Sequence, residues 1–213
     1  MNEWKKSIEE VSLLLEKLDD EREKLLKITR ELTRACREIV FKIHAGHVEE
    51  AGRLLGEVEK IHGEIMGYKA RIPQLFYTGS VNNALTEYVE AKTLYSIITS
   101  GAIPPYHESL APPSSYLAGL GDVIGELRRH ALNLVREGKI ADAWKTLNIM
   151  EEIFVEVSKL SFPEALIPGV RHKMDVARII IENTRKDLLF YEKSGELVKK
   201  LEAALVAFKE MES

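Results

Sequence analysis

Apolar positions recur through the first part of the chain at steps of four and three: Trp4, Ile8, Val11, Leu15, Leu18, Arg22, Leu25, Thr29, Leu32, Cys36, Ile39 and Ile43. Ten of these twelve are apolar, which predicts one long helix with a continuous seam. At 1.5 Å per residue such a helix is about 60 Å long. One small domain does not cover that length, so part of the seam is expected to meet another long helix or another chain. Gly46 interrupts the pattern, and a second helix is predicted from about His47 to Tyr68.

Prolines punctuate the rest. Pro73, Pro104, Pro105, Pro112, Pro113, Pro163 and Pro168 leave the proline-free blocks 1–72, 74–103, 114–162 and 169–213. Helices are predicted over Asn82–Ser100, Tyr116–Arg136, with Gly138 as its C-cap, and Ala141–Leu160. Ser114 or Ser115 is the expected cap of the Tyr116 helix. A further helix is predicted from Val170 to Tyr191, and Ser194-Gly195 is expected to divide it from a terminal helix ending near Lys209. Period-two alternation and hairpin dipeptides are absent. The expectation is an all-α fold: a single elongated bundle of seven helices, one domain over residues 1–213.

Composition narrows the function. Thirty-four acidic against thirty basic residues give net −4, which excludes a generally basic nucleic-acid binder but not a local basic stripe. The single cysteine, Cys36, excludes an internal disulfide framework and a multi-cysteine zinc site, and its place on the seam reads as core. No apolar stretch approaches the roughly 20 residues of a membrane span, and the N-terminus lacks a signal-peptide core. A cytoplasmic protein is expected.

Two acidic pairs stand at helical spacing. Glu87 and Glu90 are three apart, Asp122 and Glu126 four apart, so each pair shares a helix face. The second pair lies in LAGLGDVIGELRRHAL, whose Gly119, Gly121 and Gly125 each cost about 1 kcal/mol of helix propensity. Close helix packing, or room for a ligand beside the carboxylates, would offset that cost. Four carboxylates around one point are costly to keep ionised, and a divalent cation resolves the conflict; oxygen-only ligands suit Mg²⁺ or Mn²⁺. The plain alternative is a set of solvated faces, since a chain this acidic produces such pairs by chance. Basic residues concentrate on the second half of the first helix, among them Arg30, Arg34 and Arg37, while Lys92, Arg128 and Arg129 lie beside the acidic pairs. They form either a phosphate-holding stripe or a solvated face.

These same stretches carry a family resemblance. TEYVEA (Thr86 to Ala91), followed by YLAGLGDVIGELRRHALNLVREGKI (Tyr116 to Ile140), resembles the translin family, and more narrowly its translin-associated factor X (TRAX) branch. The segment DEREKLLKITRELTRACREIVFKIH is similar to the start of the TRAX core, and the resemblance runs from about Asp20 to Tyr191. TRAX proteins carry a Glu-x-x-Glu pair and an Asp-x-x-x-Glu pair, whereas translin keeps only the last Glu. This chain has the full set: Glu87, Glu90, Asp122 and Glu126. The resemblance implies a Mg²⁺-dependent endoribonuclease whose four carboxylates bind the metal, acting on RNA inside an octameric shell.

The chain also departs from the family. LFYTGSVNNALTEY stands where translin has its histidine- and arginine-rich nucleic-acid segment, so RNA contacts are expected elsewhere, on Arg30, Arg34, Arg37, Lys92 and Arg129. Arg129 falls where the family has a basic residue after Gly-Glu-Leu. The expected partners are RNA, with single-stranded DNA as a further ligand, and copies of the same chain, an octamer on the family pattern. The rival is a non-catalytic oligomeric scaffold that binds single-stranded RNA or DNA, its acidic pairs neutralised by Arg128, Arg129 or Lys92. A third reading, an all-α nucleotide pyrophosphohydrolase, also uses helical carboxylates, but the chain similarity argues against it.

Overall fold

A computed structural model describes the backbone of residues 3–211 and the side chains of residues 3–207. Among the described residues there are eight helices and no strand: α1 Glu3–His44, α2 Val48–Arg71, α3 Pro73–Phe76, α4 Gly79–Ser100, α5 Tyr106–Ser109, α6 Pro113–Arg136, α7 Ile140–Ser158 and α8 Val170–Met211. The all-α class is as expected. The helix count differs in two ways. Single turns form at α3 and α5, in stretches between the expected helices. The two helices expected around Ser194-Gly195 are one continuous α8. A mid-helix glycine costs about 1 kcal/mol, too little to stop a helix flanked by Glu, Lys and Leu.

Helix ends follow local chemistry. Gly46 and Gly138 both sit in the left-handed region, at φ +82° and +77°. Behind them, His47 N–H bonds the Lys42 carbonyl and Lys139 N–H bonds the Leu134 carbonyl, each closing the paired hydrogen bonds of a helix C-terminus. The start of α6 differs from expectation. The helix begins at Pro113, whose fixed φ and missing N–H suit a first turn. Ser115 is inside the helix, where its hydroxyl donates to the Asn82 carbonyl at the head of α4 (3.1 Å).

The chain forms two compact units, the first ending at Gly119 and the second beginning at Leu120. In the first, α1 packs on α2 and α4. The seam positions Leu25, Thr29, Leu32, Cys36, Ile39 and Ile43 are all buried there. The same seam continues uncovered towards the N-terminus: Trp4, Ile8, Val11 and Leu15 are exposed. Helix α4 is buried on several faces, through Val81, Leu85, Tyr88, Val89 and Leu94 among others. In the second unit α7 packs on α8, with Leu147, Met150, Ile181 and Leu188 in the core. Among the described residues no helix is long and apolar enough to cross a membrane.

The glycines of α6 divide between the two explanations offered for them. A Cβ on Gly119 would lie 2.7 Å from the Val89 side chain and 2.8 Å from the Thr86 carbonyl, so α4 and α6 approach too closely there for any side chain. A Cβ on Gly121 would lie 3.1 Å from Met174, a tight contact with α8. Gly125 faces open space, next to Glu126.

Candidate nucleic-acid interface and acidic pairs

In the first unit, helix periodicity sets Glu87 and Glu90 on either side of the fully buried Tyr88 and Val89. Both carboxylates act on Cys36 of α1: burial pushes this thiol far above its ordinary value, and the two negative charges add to the effect. Cys36 is therefore a neutral core residue and not a nucleophile. One turn edge away, Arg37 Nη2 donates to Glu87 Oε1 at 2.7 Å, and its Nε lies 3.3 Å from both carboxylate oxygens.

Arg37 also lines a groove of about 580 Å³ on α1, with Arg30, Arg34, Thr29, Thr33 and Ser80. Arg30, Arg34 and Arg37 follow each other at steps of four and three, so their guanidinium groups share one face over about 10 Å. Three cations and the hydroxyls of Thr33 and Ser80 along an open groove are the chemistry that tracks a phosphodiester backbone. A second open groove of about 640 Å³ lies between α1 and α2, lined by Lys24, Lys27, Tyr68 and Arg71 among others. Gly63 and Gly67 leave it clear of side chains, and Arg71 stacks over the Tyr68 ring at 4.4 Å. Arg71 was outside the sequence-based set, which drew on the basic stripe of α1 and on the neighbours of the acidic pairs.

Lys92 is placed differently from the other proposed RNA contacts. It is half-buried and reaches the Tyr88 hydroxyl (3.3 Å), Glu59 (3.2 Å) and the Glu108 carbonyl (3.5 Å). It thereby ties α2, α4 and the segment after α5's start into one cluster. His62 completes that cluster. Its ring stacks on Tyr88 at 4.1 Å, it hydrogen-bonds the Ser109 backbone, and its Nε2 is buried without a hydrogen-bond partner among the described residues. Burial pushes this imidazole down to about 4; Lys92 adds to the shift, while Ser109 and Glu59 oppose it.

In the second unit, Asp122 accepts a hydrogen bond from Lys173 Nζ of α8, and both side chains are about one-third exposed (32% each). Arg128 bonds Thr184 (3.0 Å) and Asp187 (2.8 Å), which pins α6 to α8. Arg129 is exposed. The cations seen on the acidic pairs are Arg37 on Glu87 and Lys173 on Asp122, while Arg128 pairs with Asp187 and Lys92 with Glu59. Lys173 is 51 positions from Asp122, beyond the reach of any helical-spacing argument.

The donor set suits a hard divalent ion in kind, being anionic and all-oxygen. The arrangement is another matter. Among the described residues no group of three or more His, Cys, Asp or Glu side chains stands close enough to hold a metal ion. Two of the four carboxylates, Glu87 and Asp122, are engaged by cations of the chain itself.

Comparison with known proteins agrees with this architecture. A family model described as the translin family matches residues 20–183. An uncharacterized protein of Methanocaldococcus jannaschii is 31% identical over 176 residues, 81% of this chain and 77% of that protein. The solved structure of AfC3PO in complex with duplex RNA is similar at a TM-score of 0.82 and 34% identity, over 88% of this chain and 97% of that chain. The crystal structure of AfC3PO gives the same score and identity, over 88% and 98%. The structure of apo-NeC3PO is similar at 0.79 over 86% and 96%, and at 19% identity it speaks for the fold alone. With most of its length matched by the family model, the chain belongs to the translin family.

Proposed function

We propose that this chain is a TRAX-like endoribonuclease: it binds RNA on the arginine groove of α1 and cuts it with Mg²⁺, or Mn²⁺, at Glu87, Glu90, Asp122 and Glu126. The observation that carries the reading is the junction at Arg37, which borders the phosphate-suited groove and touches the first acidic pair. AfC3PO, 34% identical, has been solved with duplex RNA, which supports RNA as the ligand class. The full TRAX acidic set, as opposed to translin's single Glu, supports cutting over binding alone.

A bound divalent ion supplies an acidified water and charge stabilisation at the phosphodiester. The chain's own residues have separable tasks. Arg30 and Arg34 hold backbone phosphates and set the register of the strand. Thr33 and Ser80 offer hydroxyls to the same oxygens. Glu87, Glu90, Asp122 and Glu126 supply the negative charge that recruits the ion, which requires Arg37 and Lys173 to release two of them.

One observation favours a second reading. The ion pairs Arg37–Glu87 and Lys173–Asp122 already neutralise one member of each acidic pair, as a non-catalytic RNA- or DNA-binding scaffold would have them. Labelled single-stranded RNA incubated with the protein and Mg²⁺ or Mn²⁺, beside EDTA and Glu126→Gln, separates the two. Metal-dependent cutting that Glu126→Gln loses is the expected result. Tight binding with no cutting in either protein establishes the scaffold instead.

Self-association, as an octamer on the family pattern, belongs to the same proposal. The exposed seam from Trp4 to Leu15 continues a buried one and has the four-three spacing of a helix-pairing stripe. Ile8→Lys with Leu15→Lys is expected to lower the mass measured by light scattering while leaving the helical circular dichroism intact. An unchanged mass would show that this stripe joins no copies.

A further inference from the structure

We infer that Arg71 is a stacking platform for an unpaired RNA base in the groove between α1 and α2, with Lys24 and Lys27 holding the phosphates on either side of that base. The inference rests on the RNA-binding reading given above and adds a second subsite to it. The Arg71 guanidinium lies over the Tyr68 ring at 4.4 Å, and that ring is buried. The Tyr68 hydroxyl donates to Glu21 (3.2 Å), and Glu21 also lies 3.7 Å from Arg71. Ring and carboxylate together fix where the guanidinium sits. The Arg71 side chain is still 63% exposed, and it lines the groove of about 640 Å³.

Two glycines keep that groove open. Gly63, Gly67 and Arg71 follow at steps of four on one face of α2. A helical side chain lies over the turn before its own Cα, so Arg71 extends over Gly67. Mid-helix glycines weaken a helix, yet a Cβ at Gly63 or Gly67 would meet nothing within 4 Å. Packing within the unit therefore does not call for them; a ligand in the groove does. Lys24 and Lys27 line the α1 side. Lys24 also bonds Glu21 (2.7 Å), but an ammonium has three donors and this pair is exposed, so it can take a phosphate as well. Glu64 lines the α2 side. A carboxylate there repels a phosphate and accepts a hydrogen bond from a base amine. The charges thus put the backbone along α1 and the base over α2, against Arg71. A guanidinium plane is a surface on which RNA bases stack. Inside a duplex both faces of a base are taken by its neighbours, so the platform suits an unpaired nucleotide.

The test measures affinity by fluorescence anisotropy, in EDTA, on the full chain. The probes are a short labelled oligoadenylate and the same ribose-phosphate backbone without its bases. Wild type is expected to bind the oligoadenylate about tenfold more tightly than the abasic strand. Arg71→Lys keeps the charge and removes the planar face. Gly67→Leu keeps Arg71 and fills the space beside it. Each is expected to bind the two strands within about twofold of one another. Arg30→Gln with Arg34→Gln, in the first groove, is expected to weaken both strands alike and so to keep the tenfold ratio. Equal binding of the two strands by wild type, or the full ratio retained by Arg71→Lys or Gly67→Leu, overturns the platform and leaves RNA binding on the arginine groove standing. Wild type that binds neither strand overturns both.

Discussion

Asp122→Asn is expected to cut RNA at least about 100-fold more slowly than wild type, while binding RNA and resisting denaturant almost as wild type does. The substitution removes one negative charge and keeps the shape of the side chain. An asparagine carbonyl still accepts the hydrogen bond that Lys173 gives Asp122. The ion pair itself is about one-third exposed on both sides, and pairs of that kind contribute about 0–1 kcal/mol. The fold therefore loses little. The tight α6–α8 contact at Gly121 and the Arg128–Asp187 pair are untouched. On the proposed function, the variant lacks one of the carboxylates that would recruit and hold a divalent ion. Single-turnover cutting, RNA affinity in EDTA and urea denaturation, measured on the same preparation, separate these effects. Wild-type cutting by the variant would remove Asp122 from the site. A loss of cutting together with a stability loss of several kcal/mol would make its role structural.

The same residues show what was legible in the sequence. The seam of α1 was read correctly from Leu25 to Ile43, because helical period is a local property and α2 and α4 cover that half. The identical period from Trp4 to Leu15 has no cover within its unit, and periodicity alone does not reveal whether a stripe is covered. Gly46 and Gly138 were legible as helix ends because left-handed backbone is a single-residue requirement. Gly195 was misread as a break, since glycine's helix cost is small against the propagation of a long helix.

At the acidic pairs, spacing placed Glu87 beside Glu90 and Asp122 beside Glu126 on their own helices. It did not show which cations face them. Arg37 meets Glu87 across 50 positions, and Lys173 meets Asp122 across 51. Such partners are set by helix packing, not by local pattern. Arg37 was read as an RNA contact from its stripe alone; its hold on Glu87 joins two features that the sequence displays separately. Lys92, read from the same kind of proximity, instead packs its stem and charge into the Tyr88 cluster.

That cluster carries the second large effect. Acidification from pH 7 to pH 4.5 is expected to cost the wild-type protein about 2.5 kcal/mol more stability than it costs His62→Gln. His62 is 6% exposed and is held down to about 4, against an ordinary value near 6.5. Above pH 6.5 the imidazole is neutral in both folded and unfolded chains, and the stacked, buried ring contributes its full stability. As pH falls from 6.5 towards 4, the unfolded chain takes up a proton that the folded chain refuses, so stability falls by about 1.4 kcal/mol per pH unit. Below about pH 4 both forms are protonated and this slope ends. Lys92 donates to the hydroxyl of the Tyr88 whose ring His62 stacks on, so a charged His62 would face a second cation within one buried cluster. Carboxylates also titrate at the acid end, and for that reason the readout is the difference between the two proteins. Urea denaturation of both at pH 7 and at pH 4.5 gives it directly. Parallel losses in wild type and His62→Gln would show that the folded chain does not hold this imidazole below its ordinary value.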